Sequence, residues 1–374
     1  MPFIVLGSIV GLVIATIVVL ILLIWSWSPG KIAPFLDESG NVLTDSVSEI
    51  VNVEINGMKQ GMIIKGRSDK NPVLLFLHGG PGNPEYVFTK DYPLNLEDYF
   101  TVCWWDQRGG GMSYSSSIKP GTITLEQMIS DTVQVTNYIR ERFNKEKIYL
   151  MGHSWGSFLG IHTIQQYPEL FEAYIGIGQV TDQLESERLG YEHMLSIAQS
   201  ENDKKTIKKL TGYKLIGAKS VTQDYLMLRS NIMSKQGNGM LHAPPSKLSL
   251  LMSVFQTREY TLSDKYGYAM GSLLSLNQPM NDSQFATNIF ESITKLSVPI
   301  YIIHGVYDRQ VSYQLSKEYF EVVDAPLKFF YTFENSAHSP LLEEPERFMQ
   351  IIKNDVLAIR YTASRLDLSL IVKQ

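Results

Sequence analysis

The 374-residue chain contains a single cysteine, Cys103. That excludes an intramolecular disulfide framework and any cysteine-rich zinc site. Basic charge is also scarce: 33 Lys and Arg against 38 Asp and Glu leave a net charge of −5. A nucleic-acid binder would carry a basic surface, and this balance argues against one. The one lysine-rich stretch, Asp203 to Lys209, is interrupted by Thr206 and Ile207 and reads as a solvated helix face. The glycine-rich segment Gly79–Gly82 is not followed by Gly-Lys-Ser/Thr, which excludes a phosphate loop. No internal repeat or low-complexity tract is present, and no cofactor or metal is expected. What remains is ordinary globular composition, 44% hydrophobic and 19% charged, enough for one large domain or two smaller ones.

Charge is wholly absent from Phe3 to Trp25, a run dominated by Ile, Val and Leu. About 20 such residues span a bilayer as a helix. Trp25 and Trp27 fall where an interfacial aromatic belt would lie, and Lys31 is the first ionisable side chain. A cleaved signal peptide would carry a basic leader, a shorter apolar core and a small-x-small site. None of these is present, so residues 1–28 read as a single uncleaved membrane anchor. Lys31 stands nearly alone, and the positive-inside rule therefore assigns no side of the membrane to the rest of the chain.

Residues 29–45 read as a linker. Val51–Lys65 contains Asn56-Gly57 between apolar stretches and predicts a hairpin with a tight turn. Short apolar runs follow at 73–77, 100–105, 148–151, 174–178, 299–304 and 327–333. Their length suits parallel strands covered on both faces. Helical patterns at Leu125–Phe143, Ser157–Tyr167, Ser312–Val323 and Pro345–Ile359 separate them. This alternation predicts an α/β fold with a mostly parallel sheet and helices on both faces. The core is assigned to 46–179 and 296–360. Residues 180–295 break the rhythm and read as a helical cap insertion, and residues 361–374 form a tail with no assigned role.

A turn at Gly152-His153-Ser154-Trp155-Gly156 joins a predicted strand to a predicted helix. G-x-S-x-G in that context is a nucleophile elbow, in which the glycines permit a tight turn and the serine is held out in a strained backbone. A serine hydroxyl is a weak nucleophile and needs a base, which in turn needs an orienting carboxylate. Of the seven histidines, His153 should diverge from Ser154 and pack, His162 lies on the next helix, and His193 and His242 lie in the insertion. His338 follows the last strand in a loop of small residues and is the candidate base. Asp308, directly after the strand at 299–304, is the candidate orienter, with Asp182 as runner-up. Both lie where open α/β sheets bind ligands, and Ser154, Asp308 and His338 run in the chain order of α/β-hydrolases. The N–H groups of Gly80 and of Trp155 are the candidate oxyanion hole.

HGGPG at 78–82, DQRGGGMS at 106–113 and GHSWGS at 152–157 together resemble the prolyl iminopeptidase-like branch of the α/β-hydrolases, over roughly residues 50–355. These are serine exopeptidases that remove amino-terminal residues. The resemblance implies Ser154 as nucleophile, His338 as general base and acid and Asp308 as its partner. It also implies Arg108 as an architectural ion-pair partner. The chain departs from that family in having His153 where glycine is usual. Its five tryptophans are Trp25, Trp27, Trp104, Trp105 and Trp155, so the insertion lacks the tryptophans of the family's cap. Glu185, Glu187 and Glu192 are the candidate acids for binding a substrate amine.

The reading is therefore a membrane-anchored serine hydrolase acting on small peptides with a free amino end. An ester, lactone or amide hydrolase with the same triad is the alternative. A membrane-tethered binding module that keeps the fold without turnover comes after both, because no member of the triad is missing.

Overall fold

Asn56 and Gly57 both take positive φ, 45° and 72°, the geometry of a two-residue hairpin turn matched to strand twist. They join β1 (Val47–Ile55) to β2 (Met58–Gly66) in antiparallel register. Six more strands follow: β3 (Val73–Leu77), β4 (Thr101–Trp105), β5 (Ile148–His153), β6 (Phe171–Ile177), β7 (Ile300–Gly305) and β8 (Lys328–Phe333). They form one sheet in the order β1-β2-β4-β3-β5-β6-β7-β8, antiparallel only where β2 meets β1 and β4. The computed structural model describes residues 2–215 and 220–358, with side chains from residue 10 onward.

Every residue of β3, β4, β5 and β7 is buried. The alternation along β3 explains why. Val73, Leu75 and Leu77 join one apolar layer, with Met128, Ile129 and Val135 of α2 (Leu125–Arg142) and Phe158, Leu159 and Ile161 of α3 (Trp155–Gln166). Leu74 and Phe76 join the opposite layer, with Tyr86, Phe100 and Phe348. Each such side chain contributes about 1.5–3 kcal/mol by leaving water.

Between β6 and β7 the chain is helical: α4 (Gln183–Ser200), α5 (Lys204–Leu210), α6 (Gln223–Gln236), α7 (Lys247–Gln256), α8 (Leu262–Ser275), α9 (Pro279–Ala286) and α10 (Ile289–Ser292). Part of this segment has its own small core, with Met194, Leu210, Tyr225, Ile232 and Met233. The chain then returns to the sheet, with α11 (Tyr313–Val322) after β7 and α12 (Pro340–Glu343) and α13 (Pro345–Ile351) after β8.

Among the boundaries that differ from the sequence reading, two follow from backbone geometry. The helix after the elbow begins at Trp155, not Ser157, because the left-handed φ of Ser154 ends the strand abruptly. The last helix changes to π-helical pairing at Ile352–Val356. The apolar amino-terminal run forms α1 (Pro2–Ser26). Its far end is fixed where Lys265 Nζ donates to the carbonyl of Trp27 at 2.9 Å and to Ser28 Oγ at 2.8 Å. The expected membrane span is not established: among the described residues no helix is long and apolar enough to cross a membrane. The tail at 361–374 lies outside the described residues.

Candidate active site

Ser154 has φ 55° and ψ −120°, a sparsely populated backbone region that costs about 1–3 kcal/mol outside glycine. Tertiary contacts hold it there. Its N–H donates to the carbonyl of Ile177 at 2.9 Å, while its own carbonyl accepts from Ser157 Oγ at 2.6 Å and from the Ser157 N–H at 2.8 Å. The N–H of Trp155 belongs to the first residue of α3 and has no acceptor within the helix. A Cβ added to Gly79 would lie 3.2 Å from the Cβ of Ser154, which brings the glycine loop after β3 against the serine.

His338 arrives from the loop after β8. Its Nδ1 donates to Asp308 Oδ2 at 2.7 Å. Asp308 is fully buried in the turn after β7; its Oδ1 accepts the N–H groups of Gln310 and Val311, each at 2.9 Å. Its Oδ2 also accepts from His304 Nε2 at 2.9 Å. Burial works to raise the Asp308 pKa, but the charge interaction with His338 and the hydrogen bonds from His304 and His338 outweigh it, leaving the carboxyl well below its usual range. Burial lowers the pKa of His338, with Asp308 opposing. The other nitrogen of this candidate base, His338 Nε2, is buried and has no hydrogen-bond partner among the described residues, so no link from it to Ser154 is closed in this geometry.

Ser154 and His338 line one cavity of about 360 Å³, together with Gly79, Gly80, Glu85 and His153 from the sheet side. The helical segment adds Arg229, Ser230, Met240 and Tyr268. Behind the glycine loop, the neutral His78 takes the N–H of Gln107 on Nε2 at 3.1 Å, and burial brings its pKa down to about 4. Gln107 in turn accepts from the Trp155 indole at 3.0 Å. This chain of bonds joins the loops after β3, β4 and β5. A strained serine and a histidine backed by a carboxylate at one cavity, with a helix-start N–H next to the serine in the chain, can perform nucleophilic acyl transfer.

Residues 72–205 match the family model described as alpha/beta hydrolase fold. A protein named "Probable aminopeptidase YbaC" from Bacillus subtilis (strain 168) is 38% identical over 305 residues, covering 81% of this chain and 94% of the relative. The chain belongs to the prolyl iminopeptidase-like α/β-hydrolases. A "Proline iminopeptidase" of Saccharolobus solfataricus is 24% identical over 301 residues, 78% of this chain and 85% of the relative. The crystal structure of the proline iminopeptidase of Mycobacterium smegmatis shares the fold, with a TM-score of 0.63 at 16% identity over 84% of this chain and 100% of that one. As a member of this family the chain is a hydrolase enzyme.

Other residues singled out by sequence lie elsewhere. Glu185 and Glu192 both pair with Arg188 on the surface of α4. Glu187 is buried and pairs with Arg229, accepting also from Gln183 at 3.0 Å. None of the three lines the cavity, because each carboxylate is committed to an arginine. Asp182 caps α4, accepting the N–H of Glu185 at 2.9 Å. Arg108 binds buried Asp131 through Nε and Nη2, at 2.5 and 2.9 Å, away from the cavity. His162 Nδ1 donates to the Phe158 carbonyl of its own helix at 2.8 Å, and His193 meets Asn238 at 3.0 Å.

Three residues were not selected by sequence reasoning: His304, Glu85 and Arg229. His304, four residues before Asp308, carried a local signal in that spacing. Glu85 and Arg229 carried none, since a lone acid in a loop and a lone arginine on a helix usually face solvent. His153, expected to diverge and pack, is buried but lines the cavity.

Proposed function

We propose that the chain is a serine aminopeptidase that releases amino-terminal residues from small peptides through an acyl-enzyme. The observation that carries this reading is the convergence of the strained Ser154 and the Asp308-backed His338 on one cavity. Ser154 Oγ attacks the scissile carbonyl and passes its proton to His338 Nε2, the ring nitrogen that has no partner among the described residues. Asp308 fixes the ring through Nδ1–H and stabilises the imidazolium. The N–H groups of Gly80 and Trp155 receive the oxyanion, each worth on the order of 3 kcal/mol. His338 then protonates the leaving amine, and water deacylates the serine by the same route.

The relatives named aminopeptidase and proline iminopeptidase support a peptide substrate. Glu85 contributes a carboxylate to the cavity wall, and a substrate ammonium would meet its Oε2, the oxygen not engaged by Gly79 or His153, in place of Glu185, Glu187 or Glu192. The commitment of those three to arginines favours, as a second reading, an ester or amide substrate without an amine. A panel of amino-terminally free and blocked dipeptide amides alongside nitrophenyl acyl esters separates the two. Cleavage of free-amine amides is expected, and activity on esters alone would overturn the peptidase reading. Labelling by a fluorophosphonate that disappears in Ser154→Ala tests the nucleophile.

The same proposal keeps residues 1–28 as a membrane anchor. It is supported by α1 having 25 residues, about 37 Å at 1.5 Å per residue, and by exposed apolar side chains from Val10 to Leu23. Carbonate-resistant sedimentation with membranes, lost on deletion of residues 1–28, is the expected result; release of the full chain by carbonate would overturn it.

A further inference from the structure

His153, next to the candidate nucleophile, is buried with each ring nitrogen against an oxygen. Nδ1 lies 2.7 Å from Glu85 Oε1, and Nε2 lies 2.9 Å from the backbone carbonyl of His338. Glu85 Oε1 already accepts the N–H of Gly79 at 2.8 Å, so it faces the ring as an acceptor too. A carbonyl oxygen can only accept. A neutral imidazole has one N–H and one lone pair. It would therefore set a lone pair against an oxygen on one side or the other.

We propose that His153 is a buried imidazolium paired with Glu85, and that this couple positions both the glycine loop, through Gly79, and the general base, through the carbonyl of His338. It is a positioning device that touches neither the scissile bond nor the transferred proton. It rests on the reading of Ser154 and His338 as nucleophile and base.

The surroundings agree. Burial would lower the His153 pKa, but Glu85, the His338 carbonyl and Asp308 outweigh it and raise it. Burial would raise that of Glu85, but His153, the Gly79 N–H and His78 bring it below the usual carboxylate range. The cation has a second effect. The His153 and His338 ring centroids are 4.9 Å apart, so a charge on His153 opposes protonation of His338, as His304 also does, while Asp308 favours it. The couple thus keeps the base neutral to lower pH. Arg229 is the further charge in the cavity wall, and it is paired with Glu187.

The test combines nitrogen-15 histidine spectra of the intact protein with fluorophosphonate labelling of wild type, His153→Gln and Glu85→Gln across pH. The probe carries no ammonium, so a labelling defect cannot arise from lost amine recognition. The expected spectrum has one histidine with both nitrogens protonated at pH 8, absent in His153→Gln and neutral in Glu85→Gln. Either variant removes the cation, so labelling at neutral pH falls roughly 10- to 100-fold and its acid limb moves up by about one pH unit. For a cleaved dipeptide amide, kcat falls while KM stays within about twofold in His153→Gln. A singly protonated His153 in wild type overturns the proposal whether or not the variants fold. So do folded variants that label at the wild-type rate with an unmoved acid limb. A wild type that never labels overturns the serine-hydrolase reading instead, and the spectrum still decides the charge on His153.

Discussion

A Cβ on Gly156 would overlap the backbone carbonyl oxygen of Leu77. Leu77 ends β3 and Gly156 lies in the first turn of α3, so the second glycine of the elbow lets the helix after Ser154 press against the strand that carries the glycine loop. That contact brings the start of the helix after Ser154 against the strand that leads into Gly79 and Gly80. Its requirement is steric and backbone-level, which no side-chain rearrangement can relieve.

Gly156→Ala is accordingly expected to cost about 2–3 kcal/mol of stability and to slow fluorophosphonate labelling even in the folded fraction. Urea unfolding with parallel labelling checks both. A variant as stable and as reactive as wild type would contradict the contact.

Asp308→Asn retains an oxygen for the N–H groups of Gln310 and Val311 but offers the His338 ring an amide where it now meets a carboxylate. The expected result is a near-normal melting temperature with kcat reduced by about 10⁴-fold, the scale seen when a triad carboxylate is neutralised. Steady-state kinetics on the best dipeptide amide measure this.

Stability should also depend on Asp106. This buried carboxyl accepts from the Tyr260 hydroxyl at 2.6 Å and the Met112 N–H at 2.8 Å, and burial pushes its pKa up to about 7 despite those bonds. A carboxyl whose folded pKa exceeds its unfolded value of about 3.9 contributes stability that is complete below the unfolded value and lost as pH rises through about 7. Urea unfolding at pH 5 and pH 8 should therefore show a larger loss in wild type than in Asp106→Asn. Equal losses would refute the assignment.

Arg229 and Glu187 form a largely buried ion pair between α6 and α4, with Glu187 Oε2 left without a hydrogen bond among the described residues. Arg229→Met leaves an uncompensated buried carboxylate and is expected to cost about 3–5 kcal/mol. The double variant Arg229→Met with Glu187→Met should recover much of that loss. A double-mutant cycle by denaturant unfolding measures the coupling.

Much of the fold is legible in the sequence because its signals are local. Asn56-Gly57 announces a hairpin through the φ values a two-residue turn requires. The short apolar runs at 73–77, 100–105, 148–151 and 299–304 announce strands buried on both faces. Even the Glu185–Arg188–Glu192 pairing follows from helical spacing. His304 was similarly within reach, four residues from Asp308 on the same strand and turn.

By itself the sequence determined the strand–helix alternation, the sharp turn at Ser154 and the order in which serine, aspartate and histidine follow one another. These depend on backbone geometry and on residues close along the chain. Only the tertiary structure decided that Glu85, His153 and the carbonyl of His338 meet, that Glu187 is held by Arg229, and that Glu185 and Glu192 stay outside the cavity. Those outcomes depend on a strand order in which β3, β5 and β8 bring distant loops to one edge of the sheet. A buried carboxylate or imidazole takes its charge from the partners it finds there.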